Sequence, residues 1–558
     1  MNKILKSEII VLSALLSACS ILYELMLANV LSLLTGNQVL WQAVTIAVYV
    51  GGLGFGAYWS EKIQNPLKSL VRVEFLISLL GGVSLLLIYF VHGVQNFSKF
   101  LLFIASGYSG GAVIGSELGF ELSYLAITQM ITLAIGILTG LELPILLKIS
   151  EENSDQKVKE GEVLGANYFG TLFGTICFSF WMKPNFDLLN SSVITASLNY
   201  LILLYLVWKS SKNILKKFLF VSATVIFVLL FKFNNLFMDE FLKFHYYLPR
   251  FTFQERIPKD QLLQTVLDQP KIERSKSLYQ YLDFVTFNQD KNDFTFSLDQ
   301  HFQFNSKNEH YYHQSFAHVP IMFNQKIPKE VLVLGAGDGL LIRELNRYND
   351  IVSITNVELD EAVINVAKND SRVLALNKNS YADPRVKVEI GDGFYYVRNT
   401  DKFFDAIYVD FPYPNNFDLA RLYSIEIYSF LAKRLKPNGY IILDAPLESE
   451  VSNNLGEAVM DAPFSAQNFE TNSVLLSSLS FAGFRYLFPF EVNGETFIIA
   501  SISPIHLDVD MDQSINKDMF SDDVFQLVKK IRTQQFPHEI KEEHINSVFS
   551  PKIGLGKY

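Results

Sequence analysis

Long apolar stretches, broken only by short polar joints, follow one another up to about residue 235. Beyond that point apolar positions alternate with polar ones or come in short bursts. A membrane-spanning helix needs about 20 mostly apolar residues. Eight segments answer to that pattern: roughly 9–34, 39–59, 70–91, 100–116, 124–147, 163–182, 192–208 and 214–233, the fourth rich in glycine. The first is too long for a cleavable signal peptide and is followed by further spans. Residues 236–275 are mixed and aromatic, carry Pro249, Pro258 and Pro270, and read as a linker with room for one helix.

The pattern changes again at residue 276. Leu278–Leu282, Phe284–Phe287, Phe294–Leu298 and Phe302–Phe304 alternate apolar and polar positions between Asn and Asp breaks, which predicts a small antiparallel sheet. A helix follows at about 309–323. Glu330–Leu334 is a buried strand that runs into Gly335-Ala336-Gly337-Asp338-Gly339 and a helix start. Further strands are expected at Ser353–Glu358, Val386–Ile390, Phe404–Asp410 and Gly439–Asp444, with helical stretches between several of them. Alternating strands and helices predict a doubly wound, mostly parallel sheet of Rossmann-like type. The organisation expected is thus a helical membrane domain over 1–235, a linker over 236–275, a small β subdomain and helix over 276–320, a nucleoside-binding domain over 321–505, and a polar tail over 506–558.

Composition sharpens this division. Hydrophobic residues make up 49%, charged residues only 19%, and the mean hydropathy is +0.20. The net charge is −10, yet residues 1–235 hold 15 basic and 13 acidic residues, so the acidity belongs to the C-terminal part. That balance argues against a nucleic-acid partner and is compatible with a cationic substrate. Cys19 and Cys177 both lie in apolar runs, which excludes a disulfide framework, and with few histidines no metal site is expected. Glu24, Glu74, Glu117, Glu121 and Glu142 lie in or near the apolar segments. Ionisable groups there are costly, so each is a functional candidate, set against a helix–helix hydrogen bond or a position close enough to the interface to stay wet.

In open sheets of this kind the ligand lies across the C-terminal strand ends. Gly335, Gly337 and Gly339 let the backbone come close to a ligand. Glu358 ends the second strand, where a carboxylate accepts both hydroxyls of a ribose. Asp392 follows the third, where an adenine would lie, and Asp410 ends the fourth beside the reacting centre. The loop lacks the Gly-x-Gly-x-x-Gly spacing of dinucleotide binders. Asp338 within it would repel a pyrophosphate and welcome a sulfonium or ammonium; capping the next helix is its plainer role.

Residues 275–500 resemble the spermidine synthases, a family of aminopropyltransferases. Ser277-Leu278-Tyr279-Gln280 resembles the family's Ser-x-Tyr-Gln segment. Leu298-Asp299 with Gln303 resembles its Leu-Asp-Gly-x-x-Gln turn, with Gln300 in place of glycine. Glu309 to His318, with Tyr312-His313, is similar to its Asp-Glu-x-x-Tyr-His-Glu helix, and Asp383-Pro384-Arg385-Val386 leading to Gly391-Asp392-Gly393 is similar as well. Tyr23-Glu24-Leu25, Gly36-Asn37, Gly140-Leu141-Glu142-Leu143-Pro144 and Tyr168-Phe169-Gly170 resemble the multi-span region fused to some bacterial members.

The resemblance implies decarboxylated S-adenosylmethionine as co-substrate and no cofactor. It implies that Gln280, Gln303, His313, Glu358 and Asp392 hold this donor with Gly335 and Gly337, that Asp338 faces its ammonium, and that Asp410 is the base on the attacking amine. Tyr312 and Tyr413 fall on the acceptor side. Tyr413 stands where the family has a second acid three residues after the catalytic one, and Gln314 replaces the Glu after the histidine. Both changes predict less negative charge around the acceptor, at about 1–3 kcal/mol per lost ion contact, which puts use of the ordinary diamine in question and leaves open a different, less cationic or membrane-associated acceptor.

The partners expected are a small-molecule amine and the lipid membrane, with assembly as a homodimer or homotetramer. A nucleoside enzyme needs the cytoplasm, so the expected placement is multi-pass in the cell (inner) membrane with the catalytic domain inside. Lys3, Lys6, Lys62, Lys68 and Arg72 agree with that orientation, whereas eight spans would leave Lys209, Lys212, Lys216 and Lys217 outside. Two other readings stay open at this point. One is an S-adenosylmethionine-dependent methyltransferase. The other is a transporter or sensor whose soluble domain only binds a nucleoside or polyamine.

Overall fold

A computed structural model of the chain describes residues 5–35, 38–105, 110–152, 158–210, 215–253, 257–287, 290–414, 417–445, 447, 470–505, 513–531 and 542–553. The chain divides into two compact units, Met1–Asp268 and Gln269–Tyr558.

The first unit is helical: α1 (Lys6–Thr35), α2 (Gln38–Trp59), α3 (Pro66–Ala105), α4 (Gly110–Glu152), α5 (Glu160–Cys177), α6 (Leu188–Ser210), α7 (Leu215–Phe253) and α8 (Lys259–Leu267). Among the described residues six helices are long and apolar enough to cross a membrane: Lys6–Leu34, Trp41–Lys62, Pro66–Gln95, Leu122–Glu152, Glu160–Asn185 and Leu188–Lys209. They coincide with six of the eight expected segments. The other two, 100–116 and 214–233, fall largely on residues whose side chains lie outside the described ones, as does the Gly36-Asn37 motif. Most of the stretch expected as a linker is helical: α7 continues to Phe253 because Leu242, Tyr247, Leu248 and Phe251 bury one face at helical spacing.

Between apolar helices in an apolar surrounding, close packing depends on small residues. Gly52 and Gly56 of α2 face Gly136 and Gly140 of α4. A Cβ on Gly56 would fall 2.1 Å from the Ile137 carbonyl oxygen, and one on Gly140 2.3 Å from that of Leu53. α5 meets α1 in the same way: a Cβ on Gly170 would fall 2.0 Å from the Ala14 carbonyl, and Ser17 Oγ donates to the Asn167 carbonyl at 2.7 Å. Of the acidic residues in these segments, Glu74 and Glu142 are buried, and Asn199 Nδ2 of α6 donates to Glu74 Oε2 at 2.8 Å. For Glu74 this is a helix–helix hydrogen bond, one of its expected roles. Glu24 is half-buried, and the side chains of Glu117 and Glu121 lie outside the described residues.

The second unit begins with four antiparallel strands in sequential order: β1 (Glu273–Lys276), β2 (Tyr281–Phe287), β3 (Asp290–Leu298) and β4 (His301–Asn305). Asp299 and Gln300 turn the β3–β4 hairpin at φ of 48° and 70°, the left-handed region that a two-residue hairpin turn requires. α9 (Glu309–Asn324) follows. A seven-stranded sheet then forms in the order β10–β11–β9–β8–β5–β6–β7 from β5 (Glu330–Gly335), β6 (Ser353–Glu358), β7 (Val386–Ile390), β8 (Phe404–Asp410), β9 (Leu435–Asp444), β10 (Tyr486–Val492) and β11 (Glu495–Ser501). β5 to β9 are parallel; β10 and β11 add an antiparallel hairpin. This is the doubly wound Rossmann-like fold expected. Both faces are covered, so strand residues of either parity are apolar: Val331, Val333 and Tyr408 pack on one side, Leu332, Leu334 and Ile407 on the other. The strand order reverses between β5 and β8, and the ends of those two strands flank the crevice where such folds bind ligands.

The described residues of the stretch expected as a polar tail, 513–531 and 542–553, pack against the rest of this unit. Asn516 Nδ2 donates to the His318 carbonyl at 2.7 Å, and Asn546 Nδ2 donates to the carbonyls of Ala420 and Tyr423 at 2.8 and 2.9 Å. Asn516 and Asn546 are buried, so their amides satisfy carbonyls that would otherwise lack partners.

Candidate active site

Strand register assembles the site. Gly335 at the end of β5 pairs with Asp410 at the end of β8. Val409 pairs with Leu443, which sets Asp444 beside Asp410, and Asp444 in turn pairs with Phe497 of β11. A row of residues on one face therefore runs along the strand ends, and α9 lies against it through Tyr312, whose ring packs 5.2 Å from that of Phe497.

The glycines are where the backbone needs them. Gly335 has φ of 82°, and a Cβ there would fall 2.0 Å from the Asp410 carbonyl oxygen. At Gly337 a Cβ would stand 2.8 Å from Glu358 Oε2, so only glycine lets that carboxylate lie against the loop. Glu358 Oε1 accepts from the Asp360 backbone N–H at 2.9 Å. Burial, with the charges of Asp360, Asp410 and Asp338, pushes Glu358 up to about 7. Asp338 does cap the helix Leu340–Asn346, its Oδ1 accepting from the Leu340 N–H at 2.8 Å. It also lies close enough to His313 and Asp410 to act on their ionisation.

His313 is buried and donates through Nδ1 to the Glu309 carbonyl at 2.8 Å and to Glu309 Oε2 at 2.9 Å. Arg343 grips the same carboxylate with two bonds, of 2.7 and 2.9 Å. Burial opposes the charge on Glu309, but His313 and Arg343 hold it at about 2. Burial also opposes a charged imidazole; Glu309 and Asp338 outweigh it and raise His313. Gln280 Nε2 donates to Asp360 Oδ2 at 3.0 Å, and Ser277 Oγ to the same oxygen at 2.6 Å, which ties the small sheet to the β6 end.

Asp410 accepts from Tyr312 Oη at 2.7 Å. Burial and the charge of Asp338 push its carboxyl up to about 6, against the lowering effect of Tyr312 and His313. Burial, then Asp410 and Asp444, keep the Tyr312 hydroxyl protonated and so a donor.

Not every predicted residue joins this network. Asp392 caps the helix Gly393–Asn399 and forms a 2.7 Å ion pair with Arg421. Gln303 is exposed on β4, its amide donating to the Phe302 carbonyl at 3.1 Å. Tyr413 is 39% exposed. Gln314 does not face the acceptor side: its Oε1 accepts from Ser521 N and Oγ at 2.8 and 3.0 Å, holding the C-terminal segment. Its replacement of Glu therefore removes no charge from the site. Asp360, Asp444 and Glu495 were missed. Asp444 was within reach, since it ends a strand just as Glu358 and Asp410 do. Glu495 carried no signal, because its place depends on how the β10–β11 hairpin pairs with β9.

A doubly wound unit with a glycine loop and carboxylates gathered at neighbouring strand ends has the architecture of enzymes that bind a nucleotide or nucleoside across those ends. Residues 309–465 match the spermine/spermidine synthase domain. A polyamine aminopropyltransferase of Oceanobacillus iheyensis is 30% identical over 552 residues, covering 97% of this chain and 95% of its own. One from Leptospira interrogans is 28% identical over 75% of each chain, and polyamine aminopropyltransferase 2 of Bacillus cereus is 35% identical over 35% of this chain and 53% of its own. The chain belongs to the polyamine aminopropyltransferase family.

Proposed function

We propose that this protein transfers the aminopropyl group of decarboxylated S-adenosylmethionine to an amine, releasing methylthioadenosine, as a membrane-anchored enzyme. The observation that carries this reading is Asp410, a carboxylate at a strand end poised near 6 and oriented by Tyr312. An amine is protonated at neutral pH and cannot attack until it loses a proton. Asp410 accepts that proton. The nitrogen lone pair then attacks the methylene carbon next to the sulfonium, the carbon–sulfur bond breaks with its electron pair moving to sulfur, and a neutral thioether leaves. The product remains a secondary ammonium, and Asp410 returns its proton to solvent. No acid is needed for the leaving group, so most of the rate comes from aligning nitrogen, carbon and sulfur. Asp338 offsets the charge of the donor's ammonium, and Glu358 takes its ribose hydroxyls.

The six long apolar helices support anchoring. A nucleoside donor supports a cytoplasmic catalytic unit. The test is incubation of detergent-purified protein with decarboxylated S-adenosylmethionine and a panel of amines, in parallel with S-adenosylmethionine. Methylthioadenosine that depends on the decarboxylated donor, on an amine and on Asp410 is the expected product. S-adenosylhomocysteine would assign the protein to methyl transfer instead.

A further inference from the structure

We propose that Glu74 and Glu142, with Asn199 and Tyr23, form a site inside the helical unit at which a proton is exchanged for a monovalent cation, so that this unit moves cations as well as anchoring the enzyme. The inference rests on the membrane reading above and is independent of the transfer reaction.

Glu74 on α3 and Glu142 on α4 are both buried, and their carboxyl groups lie within hydrogen-bonding reach of each other. Two carboxyl groups meet in a hydrogen bond only if one of them carries a proton. The pair then holds one negative charge. Among the described residues no Lys, Arg or His is paired with either acid. Glu8 and Glu162 of the same unit, in contrast, meet Lys209 and Lys6. Asn199 on α6 donates to Glu74 Oε2 at 2.8 Å, and a neutral amide leaves the charge in place. Among the described residues no third His, Cys, Asp or Glu completes a metal site with the pair. One negative charge calls for one positive charge, so the partner is monovalent: a second proton in one state, an alkali ion or a primary ammonium in the other.

Two further groups point to an occupant. Tyr23 Oη and Asn199 Oδ1 are fully buried and meet no hydrogen-bond partner among the described residues. A buried polar atom left unpaired costs about 1–3 kcal/mol, and a bound cation offsets that cost by taking their lone pairs. Tyr23 reaches from α1 to α3, where a Cβ on Gly81 would fall 2.5 Å from its Oη. Gly81 lies about two helical turns from Glu74 on the same face of α3, and Tyr23 feels the charge of both acids. Cys19 of α1 and Tyr49 of α2 face the pair as well, and Glu24 acts on Tyr49. Tyr49 Oη is itself held by Ser20 and Thr139, at 2.9 and 3.1 Å. Along α4, Gln129, Thr132, Thr139 and Glu142 are all buried and carry polar groups toward one side of the helix over about 20 Å. With both acids protonated the pair is neutral. A cation that enters displaces one proton, the other stays shared between the two acids, and the loaded site is neutral again. Charge is balanced in both states, as an apolar surrounding requires.

The full chain is reconstituted into liposomes that enclose a pH-sensitive dye, and an inward gradient of sodium, potassium or 1,4-diaminobutane is applied. Flotation on a density gradient comes first, and protein that does not float with the liposomes would overturn the anchoring reading. In floating liposomes the wild type should discharge internal protons when one of these cations is added outside, and the active cation names the occupant. Glu74→Gln and Glu142→Gln should fall to the rate of protein-free liposomes. Glu142→Asp should retain part of the exchange, and Glu61→Gln, at an exposed acid outside the pair, should match the wild type. Floating protein that releases no protons with any of the three cations, or equal release in the wild type and both Gln variants, would overturn the site. Should the Gln variants fail to fold, the detergent-purified wild type decides. Adding the active cation to weakly buffered protein should release about one proton per chain, and no release would overturn the proposal.

Discussion

Tyr312 on α9 and Asp410 at the end of β8 are joined by a 2.7 Å hydrogen bond across 98 residues of sequence, and that bond holds the proposed base in one orientation and tunes its ionisation. Asp410 must be charged to accept a proton, so kcat/KM should fall as the pH drops through about 6. The Tyr312 bond lowers Asp410, so Tyr312→Phe should move that acid limb to higher pH. Asp410→Asn should reduce kcat by about 100- to 10,000-fold with donor affinity retained. Initial rates of methylthioadenosine formation from pH 5 to 9 check both. A limb that does not move in Tyr312→Phe would separate the tyrosine from the base.

Glu358 has a different pH signature. Its folded value of about 7 lies above the ordinary 4.5, so the folded chain binds this proton more tightly than the unfolded chain. The associated stabilisation is fully present below about 4.5 and is lost as pH rises through about 7. Glu358→Gln should therefore raise Tm by about 2–4 °C at pH 8, with no gain at pH 4.5. The same change should raise donor KM about 10- to 100-fold, because an amide cannot accept two hydroxyls as a carboxylate does. Calorimetry at the two pH values and donor titrations decide it.

The β3–β4 turn stores removable strain. Gln300 sits at φ of 70°, a conformation that costs an ordinary side chain about 1 kcal/mol and glycine nothing. Gln300→Gly should raise the apparent Tm of the purified protein slightly and leave turnover unchanged. A lower Tm would mean that the glutamine side chain contributes more than its backbone strain costs.

The helical unit offers a matched pair of substitutions. Gly56→Ala would drive a methyl group into the α4 backbone, 2.1 Å from the Ile137 carbonyl, whereas a Cβ at Gly54 meets nothing within 4 Å. Gly56→Ala should lower the detergent melting temperature by an amount corresponding to about 1–3 kcal/mol. Gly54→Ala should be neutral or stabilising, since alanine is about 1 kcal/mol the better helix former. Equal behaviour of the two would rule out tight α2–α4 packing as the reason for these glycines.

Much of this protein could be read from the chain alone. Apolar runs of helix length followed by apolar bursts of strand length define its helical and α/β parts, because burial on all sides or on one face dictates composition position by position. Gly335, Gly337, Glu358 and Asp410 were legible for the same reason: chemistry in a doubly wound sheet gathers at strand ends, and strand ends are visible in sequence. What the tertiary structure alone decided is which distant residues share that site. Gln314 stood beside the site histidine in sequence, yet one helical residue further on it faces the C-terminal segment. Glu495 lies 85 positions beyond Asp410 on an antiparallel strand, and only the pairing of β11 with β9 turns its side chain to the face of Tyr312. Local pattern specifies an element and the face it buries; the register between strands far apart in the chain, set by packing of the whole sheet, decides which charges meet.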